Sequence, residues 1–338
     1  MSPKAPIMCI NVSWKSWLLV CLAVFPAAWL TAQSGGPGFW DTPDSLNKGR
    51  FWAATGTGIV IYSGTVIGLN QLWYKDYPRT SFHFFNDSKE WQQMDKAGHM
   101  FTTYFESDWI YHVAQWTGMK RESSIWTGAI VAVGLQTTIE VLDGFSSGWG
   151  FSMYDMAFNI CGAGLWAGQQ AGWNEQRFRL KVSSTYRSYP EDPIYGSPGG
   201  TTTLMERTDD LFGENIFQSF LKDYNAQTIW LSVNLHSLMK EESRFPKWLN
   251  LAVGYSAENM FGGFENKWEK DGNTFQTSDA DYPRYRQYIF SPDIDLSKIK
   301  VKSKPLKVLL GMANIFKIPA PALVVNGHGG VKWDWLYY

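Results

Sequence analysis

Three runs of the chain place polar side chains at helical spacing on otherwise apolar stretches. Asp95 and His99 stand four apart, with Thr102 and Glu106 continuing the same face. Gln136, Glu140 and Asp143 follow at i, i+4 and i+7, and Asp155, Asn159 and Gly162 repeat that spacing. Ser152 lies three residues before Asp155, where its hydroxyl can cap a helix by accepting from the Asp155 amide. Pooled, the stripes offer Lys96 and His99 as donors and Asp95, Glu140, Asp143 and Asp155 as acceptors.

Two chemistries suit this set. His99 can act as a general acid or base oriented by Asp95, Glu140 and Asp155, or these side chains can hold a divalent cation. Only one histidine is well placed and no His-x-x-x-His pair occurs, so zinc is disfavoured and the expectation is no metal and no cofactor. The alternative is a self-satisfied network in which Lys96 or His99 pairs with Glu140 or Asp155, Asn159 bridges, and helix register is fixed. On either reading the stripes must face one another. A carboxylate alone in an apolar setting costs several kcal/mol or shifts its pKa until neutral.

The elements that would position these residues are four helices, expected at residues 51–74, 95–118, 123–143 and 152–173. Residues 51–74 contain Gly64 and Gly68 at a small-xxx-small spacing that permits close helix contact. The second helix carries Asp95, Lys96, His99, Glu106, Asp108 and His112, so it cannot face lipid all round. The Lys and Arg distribution does not follow the positive-inside rule for four inner-membrane spans. Beyond Gln176 the pattern changes to period two, at 179–186, 228–235, 249–256, 285–290 and 331–338. Such alternation with aromatic ends suits an outer-membrane sheet, and equally a half-buried antiparallel sheet. Five segments are too few to claim a closed barrel. Residues 298–316 form an amphipathic, interfacial helix delayed by Pro305. The fold class is therefore α+β: about four helices with a polar interior at 51–176, then a β-rich half at 177–338, membrane-associated.

At the N-terminus, Lys4 and Lys15 precede an apolar run from Trp17 to Trp29 and a small-residue site at Ala32, which is the pattern of a cleavable signal peptide over 1–32. Residues 33–50 read as a linker. Cys21 lacks the small residues that precede a lipidated cysteine. After cleavage Cys161 is the only thiol, so no intrachain disulfide is expected. The net charge of −1 excludes the basic stripe of a nucleic-acid binder. Aromatic residues make 16% of the chain against 18% charged, a balance that suits membrane interfaces. Localisation is read as the cell envelope, with the outer membrane favoured and the inner membrane or a periplasm-facing site as the alternative. The expected partners are membrane lipid and an envelope protein.

The stretch Phe84-Phe85-Asn86-Asp87, Glu90-Trp91 and Met94 to His99 resembles an uncharacterised bacterial family of predicted periplasmic lipoproteins, YfiM-like (domain of unknown function 2279). The resemblance is read on through Lys222 to Thr228 and Ser291 to Leu296. More distantly, Asp95-Lys96-x-x-His99, Glu140 and Asp155-x-x-x-Asn159-x-x-Gly162 are similar to the motif series of VanZ-like membrane proteins. Neither resemblance implies a reaction. Two function classes remain: a non-catalytic envelope protein that contacts lipid or a partner, and an envelope enzyme acting on a lipid or cell-wall intermediate.

Overall fold

A computed structural model of the protein describes residues 38–70, 77–240 and 242–338. The signal peptide at 1–32 lies outside the described residues, as does the stretch 71–76 at the end of the first expected helix.

Helix α1 (Lys48–Leu69) starts at Asn47, whose side chain accepts from the Arg50 amide at 3.0 Å. From Phe51 to Leu69 it has no charge, and Gly64 is its only buried residue. Trp52, Ile59, Ile61 and Ile67 are all exposed. Helices α2 (Met94–Trp116), α3 (Arg121–Gly144) and α4 (Met153–Trp173) form a bundle with α2 at its centre. Two glycines set how closely they pack. A Cβ at Gly162 would lie 2.1 Å from the Met100 carbonyl oxygen of α2, and one at Gly128 2.6 Å from that of Ser107. The outward faces of α3 and α4 are apolar and exposed, at Trp126, Ile130 and Ile160.

The second half is built on a six-stranded antiparallel sheet of β1 (Phe178–Ser184), β4 (Gln227–Asn234), β5 (Leu249–Glu258), β8 (Tyr285–Ile294), β9 (Ala320–Asn326) and β10 (Val331–Tyr337), in that order. Two small two-stranded sheets are inserted: β2 (Ile194–Tyr195) with β3 (Thr201–Thr202), and β6 (Lys267–Lys270) with β7 (Asn273–Gln276). Two short helices, α5 (Leu204–Phe212) and α6 (Ile216–Lys222), precede β4. Helix α7 (Lys304–Ala313) follows β8 and begins at Pro305's turn, later than the expected 298. All five expected strand segments lie in the main sheet, and β9 is an addition.

Side-chain polarity is inverted over the part of this sheet beyond the helices, although the enclosed face also holds Ala252, Ile289, Ala322 and Val324 and the apolar face is buried where Leu180, Val182 and Ile229 meet the bundle. One register row runs Leu231, Val253, Phe290, Leu323 and Trp333 through five strands. Every member is exposed, from 36% at Val253 to 50% at Trp333. The opposite face holds Lys181, Ser183, Trp230, Ser232, Asn234, Asn250, Ser291 and Asp293, all buried. Lys181 Nζ pairs with Asp293 Oδ2 at 2.8 Å, Ser232 donates to the same oxygen at 2.6 Å, and Asn250 donates to Ser232 at 2.9 Å.

The polar face is buried because the sheet curls on itself. Trp230 of β4 and Tyr337 of β10 are four strands apart, roughly 19 Å in a flat sheet, yet their rings are 5.7 Å apart. The free edge of β1 is covered by Ile315–Lys317: the Val182 amide donates to Ile315 at 2.8 Å and the Lys317 amide to Val182 at 2.9 Å. Helices and sheet share one core, where Phe101, Trp166, Leu180, Val182, Ile229 and Met260 pack together.

Candidate functional site

The site lies where the N-terminal turn of α2 meets the C-terminal half of α3 and the start of α4. The chain enters α2 through Glu90–Gln93, a turn in which Trp91, Gln92 and Gln93 have φ of 48°, 52° and 63°. Three successive non-glycine residues in left-handed conformation are costly and persist only when their surroundings hold them. Here the Trp91 amide donates to Gly263 at 2.7 Å, Tyr255 donates to the Gln92 carbonyl, and Gln93 is held by Arg286 and by its own bond to Ser88 at 3.0 Å. The strained turn is thus clamped by the sheet half and fixes where Asp95, Lys96 and His99 begin.

Lys96 is 1% exposed. Its Nζ lies 2.6 Å from Asp87 Oδ2, 2.9 Å from Asp95 Oδ2 and 2.7 Å from Asp155 Oδ1. His99 turns its other partners toward a second centre. Its Nδ1 is 3.2 Å from Asn159 Oδ1, and its Nε2 faces Glu140 Oε1 at 3.6 Å and Asp95 Oδ1 and Asp155 Oδ2 at 3.8 Å each. The two aspartates therefore divide their oxygens, one to the lysine and one to the imidazole. Tyr224 donates to Asp95 Oδ1 at 2.7 Å. Ser152 caps α4 by accepting from the Asp155 amide at 3.0 Å, while its hydroxyl donates to Asp87 at 2.6 Å and its amide to Glu140 Oε2 at 3.1 Å.

Three carboxylates thus surround one ammonium, and a fourth, Glu140, faces the imidazole. Burial pushes Glu140 up to about 8, with the nearby carboxylates adding to the rise against the Ser152 amide. Burial raises Asp155 as well, helped by Asp95 and Asp87 and opposed by Lys96. Burial also opposes the charge on Asp95, but His99, Lys96 and Tyr224 together hold it below the usual range. Glu90, beside the cluster, rises to about 7 through burial and then the charge on Asp95. Glu140 Oε1 and Asn159 Nδ2 are buried and make no hydrogen bond. His99 and Asp95 keep 16% and 19% of their side-chain surface accessible, so the imidazole side is open while the lysine side is closed.

Of the expected residues, Asp95, Lys96, His99, Glu140, Ser152, Asp155 and Asn159 come together here. Gly162 contributes by letting α4 approach α2. Glu106 and Gln136 form a separate contact, with Gln136 Nε2 3.1 Å from both Glu106 oxygens. Asp143 is half-buried one turn beyond Glu140 and acts on it as a like charge. Two members carried no spacing signal: Asp87, in the loop before α2, and Tyr224, from the sheet half.

Residues 83–167 match the model of a family described as a predicted periplasmic lipoprotein (DUF2279). The matched segment holds every member of the cluster except Tyr224. It ends before the sheet, so the stretches at 222–228 and 291–296, on which the resemblance was also read, lie outside it. No curated protein and no solved structure matches the chain. The family description agrees with placement in the cell envelope and names no activity.

Proposed function

We propose that the protein is an envelope protein held in a membrane, the outer membrane by preference, through its own apolar exterior, and that its role there is structural or lipid- and partner-binding. The observation that supports this is the inverted sheet. In water an antiparallel sheet buries its apolar face and exposes its polar one; here the apolar row from Leu231 to Trp333 is outside and Lys181, Ser232, Asn250 and Asp293 are inside. That arrangement is the one lipid favours. Helix α1 adds to it. Its 19 uncharged residues span about 28 Å at 1.5 Å each, near the roughly 30 Å hydrocarbon thickness. Helix α3 is also long and apolar enough for a span, but a third of its apolar stretch is buried, whereas α1 is almost wholly exposed. This reading passes α1 alone through the bilayer and leaves α2–α4 as the bundle around the polar cluster.

Fractionation of the tagged protein tests this. It should sediment with outer membranes, resist high salt and carbonate because its attachment is apolar, and begin after Ala32. Release by either wash, or an N-terminus at Met1, contradicts the reading; sedimentation with inner membranes moves it to that membrane.

A second reading is favoured by one specific observation, the His99 Nε2 without a hydrogen bond beside the unpartnered Glu140 Oε1. On it the chain is an envelope enzyme acting on a lipid or cell-wall intermediate, with His99 as acid or base and Asp95, Glu140 and Asp155 orienting it. A His99→Ala protein that melts like wild type but fails to restore the envelope lipid or cell-wall profile of a deletion strain supports this reading; full restoration contradicts it.

A further inference from the structure

The polar cluster leaves one interaction open in its own geometry. The amide oxygen of Asn159 can only accept, so the proton of a neutral His99 sits on Nδ1 and a lone pair on Nε2 points at three carboxylate oxygens. No hydrogen bond joins Nε2 to any of the three. At 3.6–3.8 Å each oxygen is beyond hydrogen-bond reach, and a protonated imidazole would meet them only as ion pairs. Those separations fit something between the groups. Donors about 2.2 Å from a tetrahedral cation stand about 3.6 Å from one another. One donor atom each from Asp95, His99 and Asp155 lies within 4.8 Å of the others.

A cluster of acids alone would be no site, but two further observations point to a ligand. Glu140 Oε1 is buried, unpartnered and aimed at the same nitrogen. The surrounding groups are also arranged as outer supports of a metal centre: Lys96 occupies the far oxygens of Asp95 and Asp155, Tyr224 bonds Asp95, and Asn159 fixes the imidazole tautomer. The accessible edge of His99 and Asp95 supplies an entry path.

We propose that His99 Nε2, Asp95 Oδ1 and Asp155 Oδ2 bind one divalent transition-metal ion, with a water on that ion donating to Glu140 Oε1. One imidazole with carboxylate oxygens suits Mn²⁺, Fe²⁺ or Zn²⁺ rather than the all-oxygen preference of Ca²⁺ and Mg²⁺. The single histidine that argued against zinc in the sequence is compatible with this mixed set. The site does not depend on how the protein meets the membrane.

The test uses the full protein in detergent, stripped with chelator and titrated with Mn²⁺ under electron paramagnetic resonance. One Mn²⁺ per chain is expected, with nitrogen coupling from a bound imidazole. His99→Gln should abolish the coupling, and Glu140→Gln should keep it while weakening affinity by roughly 10- to 100-fold. The competing imidazoles are His83, His236, His328 and the exposed His112, 3.8 Å from Asp108. Changing these four to Gln should leave the spectrum unchanged, which decides the matter even where His99→Gln does not fold. Absence of stoichiometric Mn²⁺, a spectrum without nitrogen coupling, or loss of that coupling in the fourfold variant overturns the proposal.

Discussion

Among the places where the molecule buries charge, two are built differently. Inside the curled sheet, Lys181 meets one carboxylate, Asp293, and a chain of Ser232, Asn250 and Asn234 supports the pair. In the helical bundle, Lys96 meets three carboxylates, with Glu140 a fourth beside them, and His99 Nε2 faces three of the four without a hydrogen bond. The first network pairs Lys181 with Asp293, with the buried Lys317 close by, and is closed to solvent; the second carries an excess of negative charge and is open at His99. An excess of buried negative charge must take up protons or a cation, which is why the bundle, and not the sheet, is the candidate site.

The largest expected effect lies in the sheet network. Lys181→Met leaves Asp293 buried without its partner and should cost about 3–5 kcal/mol, whereas Lys181→Met with Asp293→Leu should recover most of that loss. Chemical unfolding in detergent measures both. A double variant as unstable as the single one would mean that the pair is more than a closed structural contact.

The next effect distinguishes the networks by pH, in chelated protein. Folding raises Glu90 and Glu106 to about 7 and Glu140 to about 8 from 4.5, and Asp155 to about 10 from 3.8, so the folded chain holds protons that the unfolded chain releases. Stability should therefore fall as pH rises from about 4 to about 10, most steeply below about 8, by at most about 1.4 kcal/mol per unit for each group. Glu90→Gln with Glu140→Gln should make the slope shallower. A slope unchanged in that variant would place its origin elsewhere.

The smallest is Ser152→Ala. Loss of the cap on α4 should cost about 1 kcal/mol, with a small addition from Asp87, and a thermal melt checks it. A loss of several kcal/mol would show that Ser152 couples the whole cluster rather than one helix end.

Much of this comparison was legible in the residues. Periodicity and length located α2, α3 and α4 within a few residues, and helical spacing selected Asp95, His99, Glu140, Asp155 and Asn159. Spacing works within one helix and fails across the fold. Tyr224 reaches Asp95 from 129 positions away, and Asp87 sits in a loop with no period. Strand β9 escaped because Pro319 and Pro321 precede a continuous Ala-Leu-Val-Val run without alternation. The inversion of the sheet was hidden for a different reason: alternation tells that two faces differ, not which one the curl will enclose.

The most direct measurement is spin-label accessibility in native membranes. With Cys161 replaced by Ser, labels at Leu251→Cys and Phe290→Cys, on the exposed apolar face, should be relaxed by oxygen far more than by a water-soluble nickel complex. Strong relaxation by the nickel complex at both positions would mean that this face meets water, and the membrane account would fail.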